Sequence, residues 1–433
     1  MADIRPIRPW RYNPSLVREL DSVTSPLFDV VSERQRQNLY QQPYNSIHLS
    51  VPQGPQPADR AAARLAEWKK SGVLIQDKLP AIYVYYQYFK LPGSAQELCR
   101  KGFVCHIRVH DWKDNVILRH ENTIPKAVND RLELLEKTNL HVSPTHGLYT
   151  DTRFELEPYM DEAIRFPLYE TEDYQGVRDV LAVIQDVHVI SRFMEVLRPK
   201  PVILADGHHR YESSLHVMHK RQAANPKDTG QEAYHFHLMY LTNTEAGDLR
   251  ILPTHRLIKG LNLPDEKTIL RSLEEDFIIK PVDDPYSLPE VISGKKWAFG
   301  LLFRDSAYKI RLKEEAFETL PWKFPEEVKR LDLTVMHYFI IEKAFGIAGK
   351  DQRQSEHIDF DRSFPDCLAR VLRQDAQLAI ITQDVSIEDV KSVCHSGSTM
   401  PQKSTYFYPK VICGFLFTSI LEDEFRNPDY SPF

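Results

Sequence analysis

The sequence predicts an α+β protein of two lobes, and three observations carry that prediction. A strand, a tight turn and the opening of a helix follow one another across Val202 to Glu212. Strand-like and helix-like stretches alternate along the rest of the chain, and from Leu263 a second set of helices and strands begins. At 433 residues the chain is also too long for one small core. Lobes over 1–257 and 258–433 are expected.

Composition narrows the class. Hydrophobic residues make up 42%, charged residues 27% and aromatic residues 11%, the balance of a globular protein with ample core material. A net charge of −6 counts against a general nucleic-acid binder, which carries a basic surplus. The opening Met-Ala-Asp-Ile-Arg lacks the apolar core of a secretion signal, and the apolar run near Val411 to Phe417 is far short of a membrane span. A soluble cytoplasmic protein with no membrane partner is expected. Cys99, Cys105, Cys367, Cys394 and Cys413 are odd in number and form no Cys-x-x-Cys pair, so neither a disulfide scaffold nor a cysteine zinc site is indicated.

Taken in order, the opening from Ile4 to Pro14 is rich in Arg, Pro and aromatic residues and reads as an extended arm. Ser32 is an N-cap for a helix from Glu33 to about Tyr40, and a short strand is expected from Ile47 to Val51. Ala58 to Lys70 is an amphipathic helix ending near Gly72. Strands follow at Ala81 to Phe89 and Gly102 to Val109, then a strand opening at Val116 and a helix from Asp130 to Lys137. Val180, Val183, Ile184, Val187 and Ile190 fit a helix over Asp179 to Leu197. Tyr234 to Thr242 is a strand, and Ile251 to Leu257 a strand leading into a turn. Beyond Leu263, helices are expected near Asp265 to Glu275, Val328 to Phe345 and Cys367 to Gln374, with strands near Trp297 to Phe303, Tyr308 to Leu312 and Gln377 to Thr382.

The chemistry concentrates at the strand Val202 to Ala205 and the residues Asp206-Gly207-His208-His209-Arg210 that follow it. Backbone N–H groups at a helix N-terminus, with the positive end of the helix dipole, favour an anion. Arg210 can add paired hydrogen bonds to phosphate or carboxylate oxygens. Gly207 lets a ligand approach the backbone, and Asp206 can hold magnesium or act as a base. A purely structural Asp-Gly turn has no use for two imidazoles and a guanidinium together. Glu212, His216 and His219 share a helix face and form a lesser, zinc-binding alternative.

Three other clusters stand out. After the apolar strand from Val116, His120, Glu121, Thr123 and Lys126 bring a carboxylate base candidate beside an imidazole and an amine, although Glu121 and Lys126 alone would read as an exposed ion pair. Thr254, His255 and Arg256 sit together at a turn, and Lys403, Ser404 and Thr405 form a basic, hydroxyl-rich turn suited to phosphate. Walker A, Gly-x-Gly-x-x-Gly, Gly-x-Ser-x-Gly and kinase signatures are absent.

Several of these stretches together resemble a known family. Ala205 to Glu212, His120-Glu121-x-Thr123, Asp130-Arg131-Leu132, Ser143-Pro144, Leu252 to Arg256 and Met400 to Lys410 look like the bacterial domain-of-unknown-function family numbered one thousand and fifteen. The Asp-Gly-His-His-Arg turn further resembles the phosphate-binding box of the ParB and sulfiredoxin superfamily, which includes free serine kinases. That resemblance implies a ParB/sulfiredoxin-like N-terminal lobe followed by a second α+β lobe. It implies a kinase that phosphorylates free L-serine, with pyrophosphate, ATP or ADP as donor, magnesium as cofactor and no organic cofactor. Gly207, His208 and Arg210 would hold phosphates, with Lys126, Arg131, Lys403, Ser404 and Thr405 as further contacts. Glu121 would be the general base, with Asp206 and His209 also catalytic and Asp206 the metal ligand. His120, Thr123, Thr254, His255 and Arg256 would line the substrate. A ParB-like DNA-binding or nuclease module and a non-catalytic phosphometabolite sensor are the alternatives.

Overall fold

The computed structural model describes residues 1–91, 93–352, 355–401 and 403–426. The chain forms two units, one built from Met1–Leu249 together with the stretch from Pro409 onward, the other from Arg250–Tyr408. The expected division at 257/258 therefore differs from the observed units in two respects. Residues 250–257 belong to the second unit, and the chain returns to the first at Pro409. The mixture of helices and sheets is α+β, as expected.

The first unit is organised on a nine-stranded mixed sheet. Its path runs Ile117–Arg119, Val202–Asp206, Thr145–Tyr149, Phe236–Asn243, Glu97–Arg108, Ile82–Lys90, Arg178–Ile184 and Tyr169–Glu172, with Ile4–Arg5 pairing beside Glu97–Arg108. The strand Val202–Asp206 runs parallel to Ile117–Arg119 and antiparallel to Thr145–Tyr149. One face packs Val84, Phe103, Cys105, Met239 and Leu241 against Phe193, Tyr211 and Leu215 from two helices, Val187–Leu197 and His208–Ala224. The other face, with Tyr83, Tyr85, Val104, Leu238 and Tyr240, is covered by Val411, Ile412, Phe415 and Leu416 of the C-terminal stretch. Burial on both sides explains the nearly continuous apolar runs of these strands.

The second unit carries a six-stranded antiparallel sheet in the order Phe277–Pro281, Ala307–Leu312, Ala298–Leu302, Leu378–Ile381, His255–Ile258, Ile358–Asp361. Its core draws on Phe299, Ile310, Phe339 and Ile340.

Local structure departs from the sequence reading in four places, the first being Ile251 to Leu257, where two short strands, Arg250–Ile251 and His255–Ile258, belong to different sheets. The helix expected over Asp179 to Leu197 is a strand, Arg178–Ile184, and then a helix, Val187–Leu197. The run of Val, Leu, Ala and Ile is inserted between two strands and buried on both faces, a pattern that periodicity does not separate from a helix. The helix begins where Asp186 accepts hydrogen bonds from the His188 and Val189 N–H groups at 2.9 and 3.0 Å. Ile47–Ser50 is a helical turn rather than a strand. The long helix expected from Val328 to Phe345 is divided into Glu326–Lys329, Asp332–Val335 and a π-helical Met336–Ala344, because Leu331 is extended. Among the described residues no helix is long and apolar enough to cross a membrane.

Candidate functional site

The strand Val202–Asp206 delivers Asp206 to the edge of the turn, and Gly207 leads into the His208–Ala224 helix as its N-cap, at φ 90°. That left-handed conformation strains any residue with a side chain. A Cβ at Gly207 would also come within 2.6 Å of Thr145 Cγ2 and 2.8 Å of Arg210 Nη2. Gly207 has no side chain with which to cap the helix, so the first N–H groups of the helix depend on acceptors from outside the N-cap residue.

A register shift between Leu204 and Asp206 sets Asp206 opposite His146, the kind of bulge that re-aims a side chain at the end of a strand. Asp206 Oδ2 accepts from Arg210 Nη2 at 3.0 Å, and Oδ1 accepts from Lys410 Nζ. Burial opposes the charge on Asp206, but Lys410 and Arg210 outweigh it and hold the carboxyl below the usual range. Arg210 is buried and donates as well to Ser143 Oγ at 2.8 Å and to the Pro144 carbonyl at 2.6 Å. Arg210, expected to grip phosphate, thus braces the turn from beneath. With a cation on each oxygen, Asp206 does not fit the magnesium expected there, nor the role of a base. It is the anchor of the turn.

The strand Ile117–Arg119 ends beside Leu204, and the segment after it crosses the start of the helix. His120 is fully buried, donates to the Leu204 carbonyl and stands edge-on to His208, ring centroids 4.8 Å apart. Four residues on, the Ile124 N–H donates to His209 Nε2 at 3.0 Å. Glu121 and Thr123 lie between these two contacts, both half-buried. The chain path thus brings His120 against His208 and the Ile124 backbone against His209, with Glu121 and Thr123 on the segment between. Burial pushes His120 down to about 4, and holds His208 well below the usual imidazole range with help from neighbouring His120. Both rings are neutral at pH 7. His208 Nε2 is buried without a hydrogen-bond partner, whereas His209 Nε2 already accepts one.

Other expected contacts lie elsewhere in the fold. Arg131, on the helix Pro125–Thr138, donates to the Ser50 carbonyl at 2.5 Å and to Asp130 at 2.8 Å, and its guanidinium covers Phe28. Lys126 is exposed in the first turn of the same helix and forms no ion pair among the described residues.

Thr254, His255, Arg256, Lys403, Ser404 and Thr405 belong to the second unit, where most of them serve the protein's own structure. Arg256 is wholly buried, with its guanidinium on the Thr254 carbonyl, His337 Nε2 at 3.2 Å and the Lys403 carbonyl at 3.5 Å. Burial alone lowers it to about 9. His255 Nδ1 accepts from the Thr382 N–H at 3.2 Å, and Ser404 donates to the Pro401 carbonyl. Lys403 is exposed at φ 57° and Thr405 is half-buried, while Gln402 between the flanking motif residues lies outside the described residues.

The zinc alternative also dissolves. Glu212 accepts from Trp112 Nε1 at 2.8 Å, and His219 pairs with Asp111 at 3.0 Å. Among the described residues the group with metal-ligand spacing is Asp228, Glu232 and His235. Those two carboxylates already accept from their own loop, through the Gly230 and Thr229 N–H groups at 3.0 Å.

Sequence reasoning missed Lys410, Ser143 and Thr145 as supports of the turn. Lys410 lies inside the Met400 to Lys410 motif, but it is 204 positions from Asp206, and no local pattern pairs them.

Comparison with known proteins gives a family and distant structural likenesses. No curated protein matches the sequence. Among solved structures, the chain is similar to a conserved hypothetical protein from Pyrococcus furiosus at 11% identity and a TM-score of 0.36, over 73% of this chain and 95% of that one. It is similar to a free serine kinase in complex with AMP at 10% identity and a TM-score of 0.35, over 74% and 88% of the two chains. For SbnI with a C-terminal truncation, from Staphylococcus aureus, the figures are 13%, 0.34, 72% and 86%. The family model described as "Protein of unknown function (DUF1015)" matches residues 4–334, and this chain belongs to that family.

Proposed function

We propose that the chain is a small-molecule phosphotransferase whose first unit, a ParB/sulfiredoxin-like lobe, transfers a phosphoryl group to free L-serine. The observation that carries this reading is the helix start at the N-cap Gly207, which is crossed by the 120–124 segment bearing Glu121. Backbone N–H groups and the helix dipole suit the phosphates of the donor, and the orphaned His208 Nε2 offers a further hydrogen bond. Glu121 accepts the proton of the serine hydroxyl as its oxygen bonds to phosphorus. The bond from that phosphorus to the donor's leaving oxygen breaks, and the electron pair departs with the leaving phosphate. The protein's part is positioning and charge stabilisation.

Incubation with L-serine, magnesium and each of pyrophosphate, ATP and ADP, followed by phosphorus NMR, tests the proposal. The O-phosphoserine resonance should grow with one of the donors. Its absence with all three removes the reading.

A further inference from the structure

Three neighbouring strands of the first unit carry Asp179, Gln87 and Arg100 side by side, Asp179 opposite Gln87 and Gln87 opposite Arg100. Asp179 and Gln87 are fully buried and Arg100 is 2% exposed. Gln87 joins them, since its Nε2 donates to Asp179 Oδ1 at 2.8 Å and its Oε1 accepts from Arg100 Nη2. Tyr85 donates to the same Asp179 oxygen at 2.5 Å. Four polar atoms are left over. Arg100 Nε and Nη1, Asp179 Oδ2 and the Tyr240 hydroxyl are all buried without a hydrogen bond of good geometry, the Arg100 guanidinium and the Tyr240 hydroxyl meeting only in a loose contact. Tyr240 belongs to the same cluster, with the Arg100 guanidinium carbon 5.5 Å from its ring centroid. Gly102 makes this approach possible, because a Cβ there would come within 2.5 Å of Tyr240 Cε2.

A buried guanidinium with no carboxylate in direct contact and a buried carboxylate with one bare oxygen are each costly, and the Arg100 charge offsets the burial of Asp179 only in part. Together they are complementary to a molecule that carries both an anion and a cation. The cluster is also tied to the Gly207 turn through one residue. The Lys410 carbonyl accepts from Gln87 Nε2 at 3.0 Å while its ammonium holds Asp206. A second link runs through the sheet, where the Tyr240 ring stacks on His146 at 5.2 Å and His146 stands opposite Asp206.

We propose that Arg100, Asp179 and Tyr240 form a subsite for the carboxylate and ammonium groups of a free α-amino acid. The inference rests on the phosphotransferase reading for its assignment of that amino acid as the phosphoryl acceptor. Arg100 and the Tyr240 hydroxyl bind the carboxylate, and Asp179 Oδ2 accepts from the ammonium. Burial pushes the Asp179 carboxyl up to about 7, and an ammonium beside it draws it back to the ionised form.

Calorimetric titration of the whole protein with three probes tests this without turnover. L-Alanine keeps both charged groups but has no hydroxyl to phosphorylate, and it should bind. Ethanolamine and L-lactate each lack one charged group and should bind roughly tenfold or more weaker. Arg100→Lys and Tyr240→Phe should each weaken L-alanine, with pyrophosphate affinity unchanged. Tyr240→Phe removes a single oxygen and carries the test if Arg100→Lys does not fold. Absence of L-alanine binding to the wild type, equal binding of all three probes, or unchanged binding in the variants overturns the subsite. If the probes behave as expected while no donor yields O-phosphoserine, the subsite stands and the kinase reading falls. If O-phosphoserine forms with an unchanged KM for serine in Tyr240→Phe, the reverse holds.

Discussion

The imidazole of His120 stands edge-on to that of His208, at 80° between the ring planes. This contact joins the end of one strand to the start of the helix after Gly207, and it keeps two ionisable rings out of water and uncharged. His120 titrates at about 4 in the fold, against an ordinary value of 6.5.

Stability should therefore depend on pH in a definite direction. Because the folded values are depressed, the stability these rings contribute is fully present above 6.5 and is lost as pH falls through that value toward 4. Thermal melts from pH 8 to pH 4.5 should show Tm falling on the acid side, and His120→Gln should flatten the slope. Equal slopes in variant and wild type would count against the buried neutral pair.

Gly207→Ala should destabilise the first unit by about 1–3 kcal/mol, since the positive φ is retained only at a strain cost and the new methyl meets Thr145. Urea unfolding measures this, with Gly247→Ala as a control where a Cβ meets nothing within 4 Å.

Lys410→Met removes one of the two cations on Asp206. Breaking a buried pair from one side costs about 3–5 kcal/mol, mostly through the carboxylate left behind. Asp206→Asn in the same chain should restore part of the loss, and the pairwise term from a double-mutant cycle reads the coupling directly. Additive effects would mean that the contact carries no energy.

Glu121→Gln separates an enzyme from a sensor. Removing a general base should lower turnover by roughly 10²–10⁴-fold while pyrophosphate still binds with wild-type affinity in calorimetry. A sensor would lose neither binding nor any measurable reaction.

Much of the local structure was legible. Ser32 caps Glu33–Tyr40 as expected, with the Gln35 N–H donating to its hydroxyl at 3.3 Å. The amphipathic pattern gives the helix Pro57–Lys70, and Gly207 separates strand from helix. Such signals involve neighbours a few positions apart, whose hydrogen bonds and dihedral preferences are local. The strand Arg178–Ile184 escaped because its apolar run fits either period, and only the flanking strands decide between them.

The sequence by itself determined that a tight glycine turn stands between a strand and a helix start, and that an acidic residue follows an earlier strand. Tertiary structure decided what each of those side chains does. Arg210 and Asp206 read as ligand contacts in one dimension, yet in three Asp206 is paired with both Arg210 and Lys410. Arg100 and Asp179 carry no motif and become a site only because Gln87 lies between their strands. The physical reason is the same in both cases. Short-range propensity selects an element, but the partner of a charge and the water around it are set by strands that pack together from distant parts of the chain.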